Sequence, residues 1–360
     1  MKDNYFAVIM AGGGGTRLWP LSKKSRPKQL LSFVNDRSLF AQAVERLNGQ
    51  FKQENIFIVT IAEQVPALIE QAPFLTQKQF IIEPQPKGTA SVIGLAAINL
   101  IRNDPDAIMA VLTADHIIDN LPLFHSLLET AYPLAEQNHM VTLGIKPTFA
   151  ATGYGYIKAG KKYGSSEAFL TEKFVEKPNE KLASKYIQNG NYYWNSGMFV
   201  WRADRILKEF NLQMPDLHEK LNQIATCIEK PDFENRFTNI WTSIKPQTID
   251  YGIMENAKDV LLLKAENLEW NDVGSWDSLF DFLSTDRCGN VIKNKQSIVL
   301  DSKDVLMFNE NDEKFIAVIG LKDLVIIDTE HALLVCRKGE TQRVKEIVEE
   351  LKNKKEDKYL

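Results

Sequence analysis

The chain has 360 residues, 44% of them hydrophobic and 25% charged, with a formal net charge of −4. This is the composition of an ordinary globular protein, and the acidic balance argues against a nucleic-acid coat or a membrane-surface protein. Cys227, Cys288 and Cys336 are far apart and odd in number, which fits unpaired thiols in a reducing compartment and no metal-binding spacing. The chain starts almost directly with a short apolar run, too brief for a signal peptide or a membrane span, so the expected location is the cytoplasm.

Taken in chain order, short apolar runs alternate with helical patterns. Strands are predicted at YFAVIM, NIFIVTIA, QFIIEP, AIMAVLTAD and MVTLGI, and helices at SLFAQAVERLNG, ASVIGLAAINLIRN and LPLFHSLLETAYPLAEQ. The alternation predicts an α/β domain with a mostly parallel sheet and helices on both faces. Residues 153–177 read as hairpin strands and YWNSGMFVWR as a further strand, with a helical region following to about residue 283. After Gly289 the composition shifts to short β-branched strands between polar turns, SIVLDS, DVLMF, KFIAVIG, DLVIID and ALLVC. Their loose spacing suggests stacked β coils, with a small sandwich as the alternative. The end, ETQRVKEIVEELKNKKEDKYL, reads as an amphipathic helix with a solvated face and a frayed tail. The expected division is a large domain over 1–285 and a small β-rich domain with a terminal helix over 286–360.

The most distinctive local feature is the loop after the first strand, AGGGGTRLWPLSKKSRPKQLL. Its glycines fit neither a dinucleotide fingerprint nor a Walker A loop. Gly12, Gly13, Gly14 and Gly15 nevertheless let backbone N–H groups approach an anion, and the loop sits where open α/β sheets bind ligands. A flexible surface turn is the plainer reading of four glycines. Arg17 and Lys28, on a path stiffened by Pro20 and Pro27, favour a phosphate site.

Polar residues at strand ends supply the other candidates. Asp115 follows a buried run and suits either a Mg²⁺ ligand or a helix N-cap, as does Asp272 in WNDVGSW. Glu176 and Lys177 lie at a strand end before Pro178, with Asn179 fit to cap a helix. Alone they would read as an exposed charge pair before a turn. Asn195 sits among aromatic and apolar neighbours, where its amide satisfies backbone groups or reads a polar ligand such as a sugar hydroxyl. Lys87, Gly88 and Thr89 open a helix and suit a base or phosphate contact. Gly153 and Gly155 beside tyrosines mark a bulge or a close ligand approach, and Asp250 and Glu255 fall on one turn of helix. No Ser/His/Asp or Cys/His arrangement marks a nucleophile.

The loop as a whole resembles the signature of sugar-1-phosphate nucleotidylyltransferases, and its Trp-Pro-Leu-Ser and Pro-Lys-Gln portions are most similar to the mannose-1-phosphate guanylyltransferases. The resemblance continues in order through EPQPKGTA, LTADH, TGYGYI, FVEKP, WNSGMFVW, TIDYGIME and WNDVGSW, covering roughly residues 5–280. It implies a Rossmann-like, GT-A-like nucleotidyltransferase domain and in-line attack of mannose 1-phosphate on the α-phosphorus of GTP, giving GDP-mannose and pyrophosphate. On that resemblance the glycine loop and Thr16 wrap the triphosphate, and Arg17 and Lys28 stabilise developing charge. Asp115 and Asp272 hold Mg²⁺, and Asp115 counts with Arg17 and Lys28 as catalytic. Gly88 and Thr89 lie near the base or ribose. Lys177 meets the sugar phosphate, Glu176 and Asn195 the mannose hydroxyls, and Gly153, Gly155 and Asp250 the sugar pocket.

The resemblance also implies a short left-handed β-helix at the C-terminus that packs in a homodimer. The chain departs from the pattern at Lys87-Gly88, where many bacterial guanylyltransferases carry Arg-Asn. It also lacks the cupin extension that confers phosphomannose isomerase activity on some relatives, so no isomerase activity is expected. The alternatives are a sibling enzyme for heptose 1-phosphate with GTP or glucose 1-phosphate with dTTP, or a catalytically silent nucleotide-sugar sensor.

Overall fold

The computed structural model describes residues 1–34, 36–293, 296–311 and 313–360. It divides into two compact units. The first comprises Met1–Gly12, Ala43–Ala114 and Ile118–Trp270; the second comprises Gly13–Gln42, Asp115–Ile117 and Asn271–Leu360.

The first unit is built on a nine-stranded sheet. Its strands are β1 (Tyr5–Met10), β2 (Ile56–Thr60), β3 (Phe80–Ile82), β4 (Ile108–Thr113), β6 (Met140–Ile145), β7 (Tyr156–Lys162), β8 (Phe169–Val175), β9 (Tyr192–Arg202) and β10 (Val260–Ala265). The labels β5 (Ile117–Ile118) and β11 (Trp270–Asn271) belong to two-residue strands outside it. The strand order is β3-β2-β1-β4-β9-β6-β10-β8-β7, and every strand except β8 and β9 runs in one direction. The near-continuous apolar runs of β1, β4 and β6 follow from burial on both faces. Alternate residues of β1 show this directly. The Tyr5 hydroxyl donates to the Leu128 carbonyl on helix α4 (Leu121–Glu136). Phe6 and Val8 pack instead in the core formed with Ile93 and Ala97 of helix α3 (Thr89–Asn103).

One expectation is corrected. The stretch from residue 203 to about 283 is not wholly helical. Helices α6 (Ala203–Gln213), α7 (Pro215–Ala225) and α8 (Phe233–Thr242) are followed by β10, paired in parallel with β6. Its leucine-rich VLLLKA has good helix propensity, but a buried slot between β6 and β8 overrides it.

In the second unit β12 (Val291–Lys293), β14 (Lys303–Asn309) and β16 (Lys322–Asp328) form one parallel ladder, closed by antiparallel β17 (Leu333–Arg337). A separate parallel ladder joins β13 (Ser297–Leu300) to β15 (Ile316–Ile319). Ser297 lies beside Ile316 and Lys303 beside Lys322, each nineteen residues further on. Parallel neighbours one coil apart are the pattern of stacked β coils, not of an antiparallel sandwich. Helix α9 (Val344–Asn353) follows. Val344 and Val348 share a buried cluster with Leu18, Trp19, Val273, Trp276 and Leu306.

Candidate active site

In the second unit the glycine loop leads into a single 3₁₀ turn, Thr16–Leu18. Gly15 has φ 56°, in the left-handed region, and a Cβ there would collide with the side chain and backbone of Lys28. Glycine is therefore required for both conformation and close approach. The carbonyl of Gly15 accepts from Leu18 N–H at 2.9 Å and from the Ser22 hydroxyl at 2.7 Å. Arg17 is exposed, between glycines on one side and buried Leu18 and Trp19 on the other.

Lys28 follows Pro27 on a second 3₁₀ turn and is nearly buried. Its Nζ lies 2.6 Å from Asp115 Oδ2 and donates to the Asp272 carbonyl at 2.5 Å. Three segments distant in sequence thus meet at one ammonium. Burial pushes the Asp115 carboxyl up, but Lys28 and the neighbouring His116 outweigh it and hold the carboxyl below the usual range. Asp115 does not cap a helix, because α4 begins only at Leu121 and its cap is Asn120, whose Oδ1 accepts from Leu123 N–H. The Asp272 Oδ1 accepts from Gly274 N–H at 3.0 Å, a local turn rather than a cap for the 3₁₀ helix Trp276–Asp281. The donors here are hard oxygens, as Mg²⁺ prefers. Among the described residues no group of three metal-ligating side chains forms.

The first unit gathers the other candidates. The Asn195 Nδ2 donates to Asp250 Oδ1 at 2.8 Å, and its Oδ1 accepts from Gly197 N–H at 3.1 Å, so both ends of the amide are fixed. Asp250 opens a π-helical turn, Asp250–Met254, of the kind often found at functional sites. Burial, then repulsion from Glu176, pushes its carboxyl up to about 6. The Glu176 side chain is itself 7% exposed; its Oε1 is 2.8 Å from Lys177 Nζ, while its Oε2 has no hydrogen-bond partner among the described residues. A Cβ on Gly155 would stand 2.4 Å from Glu176 Oε2 and 3.3 Å from Asn195 Cβ, so the Glu176 carboxylate would have to move. Gly153 is exposed, and a Cβ there would meet nothing within 4 Å. Glu255 accepts from Glu176 N–H at 3.1 Å. The Asn179 Oδ1 caps helix α5 (Glu180–Asn189) through Leu182 N–H, as expected.

Gly88, φ 84°, is the N-cap of α3, and its Cα packs on the Gln247 backbone. The Thr89 hydroxyl accepts from Ile249 N–H at 2.9 Å, and Lys87 Nζ donates to the Thr242 carbonyl at 2.6 Å. The helix start is therefore tied to the segment leading into Asp250.

Comparison with known proteins places this geometry. Residues 6–287 match the nucleotidyl transferase family model, and residues 295–351 match the MannoseP isomerase/GMP-like beta-helix domain. A Klebsiella pneumoniae mannose-1-phosphate guanylyltransferase is 36% identical across 98% of this chain and 75% of its own length. The chain belongs to the mannose-1-phosphate guanylyltransferase family. An Escherichia coli K12 guanylyltransferase is 35% identical over 98% of this chain and 74% of its own. The crystal structure of a Thermus thermophilus protein described as a mannose-1-phosphate geranyltransferase superposes with TM-score 0.86 at 29% identity, a match that covers 97% of this chain and 99% of that one. The expected α/β nucleotidyltransferase fold with a C-terminal β-helix domain is thereby established.

One buried carboxylate escaped the sequence reading. Glu83, in EPQPKGTA, is buried, and its Oε1 would lie 3.6 Å from a Cβ on Gly12. Its Oε2 has no partner among the described residues, and burial raises its carboxyl to about 7. A charged residue between a strand and a proline was the available signal. Trp194 also forms edge-on pairs with Phe149 and Tyr154, with centroids 4.9 and 5.0 Å apart, and the Phe149 and Tyr154 rings are tilted at 6.4 Å.

Proposed function

We propose that this chain transfers GMP from GTP to α-D-mannose 1-phosphate, forming GDP-mannose and releasing pyrophosphate. Family membership along nearly the whole chain carries this reading. The structure supports it through Lys28, Asp115 and Asp272, which converge from three segments. The sugar phosphate is the nucleophile, so the absence of a serine or cysteine triad in the sequence agrees with direct displacement. Catalysis then rests on positioning and charge stabilisation.

In this reading the Gly12–Gly15 and Thr16 backbone lies along the triphosphate. Exposed Arg17 and the ammonium of Lys28 stabilise negative charge as the α-phosphoryl group transfers. Asp115 and Asp272 would hold Mg²⁺, which when bound neutralises phosphate oxygens. Lys177 takes the sugar phosphate. Glu176, Asn195 and Asp250 accept and donate to mannose hydroxyls, with Gly155 and Gly153 at the pocket wall. Gly88 and Thr89 lie toward the nucleoside. Glu83 accepts from the N1–H and the N2 amino group of guanine, since a carboxylate offers two acceptors side by side.

We assign catalysis to residues 1–285 and assembly to residues 286–360; the change of family match between residues 287 and 295 supports that division. The assembly proposed is a homodimer. Ile298, Leu300 and Ile319 on the paired strands β13 and β15 are exposed apolar side chains, as are Leu333 and Val335 on β17. Contiguous apolar strands of this kind favour burial against a second copy. Among the described residues no helix is long and apolar enough to cross a membrane, and the proposed location is the cytoplasm.

The test is pyrophosphate release with Mg²⁺ across GTP, UTP, CTP, ATP and dTTP against mannose, glucose and heptose 1-phosphates. A single maximum at GTP with mannose 1-phosphate is expected. A maximum elsewhere replaces the substrates, and silence with retained nucleotide-sugar binding replaces the enzyme by a sensor.

A further inference from the structure

We propose that the C-terminal segment, α9 together with the turn Asp357–Tyr359, positions Arg17 by clamping Leu18 and Trp19. This goes beyond an assembly role for the C-terminal region, and it rests on the reading of Arg17 given above.

Arg17 sits in the middle of a turn only three residues long. Its own side chain is exposed and makes no hydrogen bond or ion pair with any described residue, so its position is inherited from its neighbours. On one side Gly15 packs its backbone on Lys28 but offers no side chain to hold the turn. On the other, Leu18 and Trp19 are 1% and 8% exposed and lie in the cluster that contains Val344 and Val348 of α9. Leu351 and Leu360 pack against the same cluster.

Trp19 is held at both of its polar ends. Its indole Nε1–H donates to the Tyr359 carbonyl at 2.7 Å. Its carbonyl accepts from the Trp276 Nε1–H at 3.0 Å. A buried indole N–H demands an acceptor, and the turn Asp357–Tyr359 supplies it. The exposed Lys24–Asp357 pair, 3.0 Å apart, adds little. The tail read from sequence as frayed is thus the anchor of the residue two positions from Arg17. A displacement of about 1 Å at a charge-stabilising group can cost on the order of a hundredfold in rate.

Two variants test the clamp: Trp19→Phe, which keeps the ring but removes the donor, and a chain ending at Lys355, which keeps α9 but removes the acceptor. Each is expected to lower kcat about tenfold with KM for mannose 1-phosphate unchanged. Combining them should lower it no further, because both break the same bond. Hydrogen exchange should quicken at Leu18 and Trp19, whose N–H groups bond to Gly15 and Thr16, and stay unchanged in β1. Wild-type kcat in the shortened chain, additive losses, or faster exchange spread through β1 would overturn the proposal. If the unmodified chain turns over no substrate, the functional reading fails, and the exchange pattern alone decides whether the clamp exists.

Discussion

The ammonium of Lys28 stands 2.6 Å from the carboxylate of Asp115, eighty-seven residues further along the chain. Lys28 holds the Asp115 carboxyl in its ionised form. Lys28→Ala should lower kcat by two to three orders of magnitude, the loss of about 2–4 kcal/mol of transition-state stabilisation. Asp115→Asn should also lower turnover sharply while leaving the fold intact. Because the native Asp115 carboxyl is held below its ordinary value, its ionisation stabilises the fold at neutral pH, and that contribution fades only as pH falls through the lowered value. Without Lys28, burial dominates and the carboxyl rises. The stability deficit of Lys28→Ala against the parent, followed by circular dichroism, should therefore be widest at neutral pH and narrow as the pH falls.

Gly15→Ala should mimic the loss of Lys28 without touching it. The new methyl would occupy the space of the Lys28 Cβ, in a backbone conformation that costs alanine about 1–2 kcal/mol. Turnover should fall at least a hundredfold, a size set by preorganised charge stabilisation, while thermal melting drops by a few degrees. Unchanged steady-state kinetics would show that the close approach is dispensable.

Asp250 is expected to give a pH-dependent KM for the sugar phosphate. Its carboxyl is raised to about 6, so the folded state binds the proton more tightly than the unfolded chain does. Stability is full below the unfolded value and declines as pH rises through about 6, by at most about 3 kcal/mol. Asp250→Asn should therefore melt higher than the parent at pH 8, with the gain vanishing near pH 4. Its KM for mannose 1-phosphate should rise and lose its dependence on pH between 5 and 7. Calorimetry and kinetics on the same samples check both halves.

Glu83 makes a prediction about base selectivity. The parent should prefer GTP to ITP, which lacks the N2 amino group, and KM for GTP should fall as pH rises through about 7 and the carboxyl ionises. Glu83→Gln should cost GTP about 1–3 kcal/mol in kcat/KM, the worth of a paired base contact. ITP should lose less. Equal losses for the two nucleotides would remove Glu83 from base recognition.

Local chemistry was legible in the sequence, and long-range convergence was not. Arg17 and Lys28, on a proline-stiffened path after the glycine run, pointed to an anion site because two cations flank a loop at a strand's end. Asp115 and Asp272 stood open between metal ligand and cap. Only the start of α4 at Leu121 and the local turn at Gly274 decide against capping. Gly153 and Gly155 looked equivalent, yet only Gly155 meets Glu176 and Asn195, because it adjoins the start of β7 while Gly153 lies in the exposed bend before it. Strand β10 was hidden because a six-residue leucine-rich run carries no period that separates a buried strand from a helix. Glu83 was hidden because a lone carboxylate reads as surface until its burial is known.

The nineteen-residue offset between stacked strands has an evolutionary reading. Val291 of β12 meets Leu306 of β14 after only fifteen residues, so turns of the stack differ in their bends while the paired strands keep one register. Duplicating residues 303–321 would add a rung and return the chain to the same register at Lys322. Removing a single residue from the start of β14 would turn Val305, Met307 and their neighbours outward. Within the paired strands homologues should accordingly differ by about one full turn or not at all, with scattered small gaps confined to the bends between strands.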